Sequence, residues 1–148
     1  ETVKELISRK ADFKSPHFLH ILCNDAFDRV YPEWPAKRLA LWTVLLDAGI
    51  DPNEKDSDNN TCLYSLLHKP YEEYFEKYFT ENPQTKEIFI QQRKSLIALL
   101  LERGLDLKSK NKDDKTALEY ATQNIYSLPA RGEPELIEFV QNIISTKK

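Results

Sequence analysis

The sequence predicts an all-α protein assembled as a short repeat array, with polar hairpin loops projecting between its helices. Three observations predict it. Two segments are near copies: Leu45-Leu46-Asp47-Ala48-Gly49-Ile50-Asp51-Pro52-Asn53 followed by Asn60-Thr61-Cys62-Leu63, and Leu100-Leu101-Glu102-Arg103-Gly104-Leu105-Asp106-Leu107-Lys108 followed by Lys115-Thr116-Ala117-Leu118. Gly to Thr spans 12 positions in both. Each copy is preceded by apolar residues at helical spacing, and self-similarity of this kind decides architecture before any local reading does.

The elements follow in order. Pro35 and Ala36 open a first outer helix, because proline is tolerated at the first helical position. Its stripe of Leu39, Leu41, Trp42, Leu45 and Leu46 ends at Gly49, which suits a left-handed C-terminal cap. The polar run from Asp51 to Asn60 has the composition of a turn-rich loop. Thr61 then caps an inner helix carrying Leu63, Leu66 and Leu67, although Tyr64 stands where a capping box would place an acid. Next come Tyr71, Tyr74, Phe75, Tyr78 and Phe79, interleaved with Glu72, Glu73, Glu76 and Lys77. That pattern gives a helix one aromatic and one charged face. A second outer helix carries Ile88, Phe89, Leu96, Ile97, Leu99, Leu100 and Leu101 up to Gly104. Its polar loop runs from Asp106 to Lys115. Thr116 and Glu119 match a capping box, opening an inner helix with Leu118 and Ala121. A closing helix, Glu133 to about Ser145, carries Leu136, Ile137, Phe139, Val140, Ile143 and Ile144.

These residues resemble the ankyrin repeat, in which a helix ending Leu-Leu-x-x-Gly-x-Asp-x-Asn leads through a hairpin to Thr-Pro-Leu-His at the start of the next helix. Leu45 to Asn53 matches the first half. Thr61 and Leu63 match the second, with Cys62 for Pro and Tyr64 for His; in the later copy Thr116 and Leu118 match, while Lys108 replaces Asn and Glu119 replaces His. Leu6 to Phe13 with Leu19-His20 resembles a worn first copy. The resemblance implies an ankyrin-repeat solenoid of stacked helix-turn-helix units with protruding hairpin loops. It would form a single domain over 1–148, with approximate repeats 1–34, 35–86 and 87–132 and a closing helix 133–148.

The chain departs from the family in its period. Ankyrin repeats recur at about 33 residues, whereas Leu19 to Leu63 is 44 positions and Leu63 to Leu118 is 55. The extra length lies between inner and outer helices, at Val30 to Pro35 and at Tyr71 to Pro83. Two readings of the second insertion stand. Either the inner and outer helices are lengthened and the aromatics pack on each other, or the aromatics form a recognition surface, since Tyr and Trp are enriched at binding hot spots.

Composition narrows the function classes. The formal net charge of −3 argues against a dedicated nucleic-acid binder. Cys23 and Cys62 are too few for a disulfide framework, which suggests a reducing, intracellular setting. No stretch approaches a membrane span. The chain begins at Glu1 and has no Met, which reads as a domain excised from a longer protein.

The sequence offers few residues in chemically competent arrangements. His17, His20 and Cys23 share a helical spacing that could serve zinc; the plainer reading is core packing, so no metal and no cofactor is expected. No catalytic motif or Gly-rich phosphate loop is present, so the chain is read as not an enzyme. Asn53 lies eight positions after Leu45, the spacing used by asparaginyl hydroxylases on ankyrin hairpins. The plainer reading is that Asn53 supports its turn.

The resemblance therefore implies a monomeric protein-binding module. Its partner would lie across the hairpin tips and inner helices: Lys55, Ser57, Asp58 and Tyr64 in the first unit, Lys108, Lys110 and Lys112 in the second, and Tyr74, Phe75 and Tyr78 in the insertion. Ser65, Glu119 and Gln123 would extend the inner-helix face. The alternative is a targeting domain of a larger enzyme. Long insertions, worn repeats and a Lys, Asn, Ile and Phe bias also resemble ankyrin-type effectors that intracellular bacteria deliver into host cells.

Overall fold

The computed structural model describes residues 34–70, 77, 79–123 and 130–146. The worn first copy, with His17, His20 and Cys23, lies outside them, as do Tyr74, Phe75 and Tyr78. The described residues are mostly helical: α1 (Trp34–Asp47), α2 (Cys62–Leu66), α3 (Pro83–Glu102), α4 (Ala117–Gln123) and α5 (Pro134–Thr146). To these the structure adds a short antiparallel ribbon of β1 (His68–Pro70) and β2 (Ala130–Gly132), with His68 opposite Gly132. The helices form two layers. The long helices α1, α3 and α5 lie side by side in that order, the short helices α2 and α4 pack on each other, and the layers meet where α2 packs on α3 and α4 on α5.

The core lies between the layers. From the long helices it takes Trp42, Leu45, Phe89, Ile90, Leu96, Ile97, Leu100, Leu136 and Val140; from the short ones, Cys62, Leu63, Leu66, Ala117 and Ala121. Burial of this apolar surface, rather than helix propensity, holds elements as short as α2 in place.

Both α1 and α3 stop by the same device. The Gly49 N–H donates to the Leu46 carbonyl at 3.1 Å and the Ile50 N–H to the Leu45 carbonyl at 3.3 Å. The Gly104 and Leu105 amides repeat this on Leu101 and Leu100, at 3.2 and 2.9 Å. This is a Schellman ending, and it needs a left-handed residue: φ is +100° at Gly49 and +95° at Gly104. A Cβ at either glycine would meet no neighbour within 4 Å, so backbone conformation, not crowding, selects glycine there.

Three expectations are corrected. The inner helix before the insertion is not lengthened: α2 spans five residues and passes into β1. The outer helix α3 is long, with 20 residues opening at Pro83, so the approximate repeat boundary at 86–87 falls inside it, while most of Tyr71 to Asn82 lies outside the described residues. Proline is preorganised for the first helical turn, which explains the start. Thr61 occupies the N-cap of α2, but its side chain makes no cap bond. With Tyr64 in the acid's place, the reciprocal half of a capping box is missing.

Candidate functional site

The two polar loops fold as two fingers, 51–60 and 106–115, equivalent residue by residue at an offset of 55 positions. Each is organised from within by carboxylate and amide side chains that bond their own backbone. Asp51 Oδ1 accepts the Asn53 N–H at 2.9 Å, as Asp106 Oδ1 accepts that of Lys108 at 2.9 Å. At the tips, Asp56 Oδ1 accepts the amides of Asp58 and Asn60 at 2.8 and 2.9 Å. Asn111 Oδ1 does the same for Asp113 and Lys115, at 2.9 and 3.1 Å. Such Asx turns are why Asp and Asn dominate these loops. The turn closes at Asn59 (φ 60°) and Asp114 (φ 58°), left-handed positions that Asn and Asp tolerate better than most residues.

A second set of bonds ties one finger to the other. The Asn53 side chain spans the gap: its Nδ2 donates to the Gly104 carbonyl at 2.9 Å, and its Oδ1 accepts the Asp106 N–H at 2.7 Å. At the tips the Lys112 N–H donates to the Asp58 carbonyl at 3.0 Å, and the Lys112 ammonium donates to the Asp58 carboxylate. That hydrogen bond and the carboxylate's charge raise the Lys112 pKa. Behind the fingers, Arg103 pairs with Asp47.

Tyr64 projects from α2 beneath the second finger. Its hydroxyl donates to the Lys115 carbonyl, with the Ser109 carbonyl 3.4 Å away. Burial pushes its phenol up to about 12, because the phenolate would lose water. In α4 the equivalent position is Glu119. Its Oε2 accepts the Thr116 N–H at 2.8 Å while Thr116 Oγ1 accepts the Glu119 N–H at 3.2 Å, the reciprocal capping box expected there.

This geometry sorts the expected partner-binding residues. Tyr64 is 4% exposed, so a partner cannot reach it; its ring is large enough to fill the space under the second finger. Asp58 and Lys112 pair with each other while both side chains stay more than half exposed. Lys110 pairs with Asp114 at 3.1 Å, and its carbonyl accepts from Lys55 Nζ at 3.5 Å. Glu119 is engaged in its cap, and Gln123 accepts from Lys115 Nζ. Ser57 and Lys108 are exposed at finger positions. The sequence reads Asn53 as support for its own turn or as a hydroxylation site, and does not show its bonds to the next finger. The available signal was the asymmetry between copies, Asn53 in one and Lys108 in the other.

Among the described residues no group of three or more His, Cys, Asp or Glu could hold a metal ion, and no helix is long and apolar enough to cross a membrane. Cys62 is fully buried. No protein-family model, no curated protein and no solved structure matches the chain.

Proposed function

We propose that the chain is an ankyrin-type repeat module that binds a partner protein through the outward edge of its two fingers. The observation that carries this reading is the Asn53 bridge: it fixes the second finger on the first while leaving Ser57 and Lys108 exposed. Loops held in one arrangement lose little conformational entropy on binding, which favours a rigid contact edge. The exposed charges would steer encounter and orientation more than they add affinity. The inner-helix face contributes less than the resemblance alone implies, because Tyr64 and Glu119 serve internal contacts.

The test is a comparative pull-down from cell lysate with the wild-type chain and the K108E/K110E double variant, read by quantitative mass spectrometry. Both lysines are exposed, so Tm should stay within a few degrees while recovery of the captured partner falls. Undiminished capture by this variant, with loss on replacing Tyr74, Phe75 or Tyr78, would move the site to the insertion and overturn the finger reading.

A further inference from the structure

At the far end of α2, the joint with the β1–β2 ribbon is packed around an imidazole. His68 is 8% exposed. Its Nδ1 lies in hydrogen-bonding contact with the Tyr64 carbonyl. A carbonyl can only accept, so Nδ1 carries the proton, and Nε2 of the neutral ring is a bare acceptor. Nε2 is buried without a hydrogen-bond partner. The ring lies against Tyr120 of α4, centroids 5.4 Å apart.

The other side of the joint is equally close. His68 pairs with Gly132 across the ribbon. A Cβ at Gly132 would lie 2.2 Å from the Ala121 carbonyl oxygen, so β2 is pressed onto the backbone of α4 as only glycine allows. One residue further on, the Glu133 N–H donates to the Leu67 carbonyl at 2.8 Å, fastening the start of α5 to the end of α2.

We propose that His68 is a proton-operated latch: protonation at Nε2 opens the joint between α2, the ribbon and α4. A buried neutral acceptor without a donor carries the desolvation cost of one neutral group. A cationic N–H without an acceptor costs far more, and the close packing at Gly132 leaves β2 no room to shift toward α4. Among the described residues, the charge that acts on the ring is positive. From α2 and α4 come the phenols of Tyr64 and Tyr120. From α3 comes Arg93, buried with Nη1 donating to the Ser65 carbonyl at 2.9 Å, whose positive charge disfavours a second one. Lys69 and Arg131 are opposite each other at the next register position of the ribbon. Glu133, at the end of the ribbon, is buried. Burial first, then Arg93, lower the His68 pKa, while the Tyr64 carbonyl works in the other direction.

Amide exchange followed by NMR on the whole chain tests this, with H68N as the comparison. Asn retains a donor for the Tyr64 carbonyl but does not titrate. Between pH 7.5 and 5.5, after correction for intrinsic exchange, opening at the Glu133 amide should rise several-fold in the wild type and stay level in H68N. The same rise in both would overturn the latch. Should H68N fail to fold, ring resonances of the wild type decide: a His68 midpoint below the ordinary 6.5, accompanied by faster exchange at Glu133, supports the proposal. A midpoint at or above that value, or titration without change in exchange, overturns it.

Discussion

The first and second fingers share a backbone but not a set of neighbours, and their differences fall where the neighbours differ. Positions that act within one finger keep their chemistry across the 55-residue offset: Gly49 and Gly104, Asp51 and Asp106, Asp56 and Asn111, Asn59 and Asp114. Two positions that reach forward from the first finger do not, although Lys55 and Asp58, which also reach forward, keep theirs as Lys110 and Asp113. Asn53 bridges to Gly104 and Asp106, and its equivalent is Lys108. Tyr64 reaches the Lys115 carbonyl, and its equivalent Glu119 turns back to cap its own helix. Among the described residues no third finger follows the second, so nothing there calls for an Asn bridge or a Tyr prop. The two copies teach that local turn chemistry repeats, whereas the Asn53 bridge and the Tyr64 prop occur only in the copy that has a finger beyond it.

This comparison can be strained at graded sites. Leu45 and Leu100 are equivalent and are 1% and 0% exposed. Leu45→Ala and Leu100→Ala should therefore each cost about 2–5 kcal/mol in denaturant melts, similar to one another. A large inequality would break the equivalence of the two copies. Next, Asn53→Ala should cost about 1–3 kcal/mol by removing both partners of the bridge, whereas Lys108→Ala should fall within about 0.5 kcal/mol of wild type. Equal losses would show that Asn53 matters only to its own turn.

Smaller effects sharpen the contrast at the caps. Thr116→Val removes one half of a capping box and should cost about 0.5–2 kcal/mol, while Thr61→Val, which loses no cap bond, should not pay that cap penalty. Alkaline titration probes Tyr64. Its folded phenol is held at about 12 against an ordinary value of 10, so its stabilising contribution is complete below pH 10 and is lost as the pH rises toward 12. Absorbance at phenolate wavelengths should show a late-titrating component in the wild type that is missing in Tyr64→Phe. Breaking the exposed Asp58–Lys112 pair by Lys112→Ala should leave Tm unchanged within error, because solvent-exposed ion pairs contribute little.

Much of this organisation was legible in the sequence where a residue acts on its immediate neighbours. The Schellman glycines, the Asx-rich loops, the Thr116–Glu119 capping box and the apolar stripes all announce themselves within one or two turns of chain. The ribbon was not legible: three-residue strands containing Pro70 are too short to show a two-residue alternation. Nor was the availability of Tyr64, Asp58 and Lys112, because each is engaged by a partner about 50 residues away that no local pattern names. Thr61 reads as a cap from its position alone, yet Tyr64 in place of an acid removes the reciprocal bond. His68 carries no motif; its role follows only from the Nε2 that the fold leaves buried.

The two fingers are coupled through the Asn53 side chain. The most direct measurement is amide exchange at Asp106 in the wild type and in Asn53→Ala, resolved residue by residue by NMR. The Asp106 N–H donates to the Asn53 side chain at 2.7 Å. It should be protected in the wild type and lose that protection in the variant, while the Asn111 amide, which donates to the Lys115 carbonyl within the second finger at 2.9 Å, keeps its own. Equal exchange of Asp106 in both proteins would contradict the coupling.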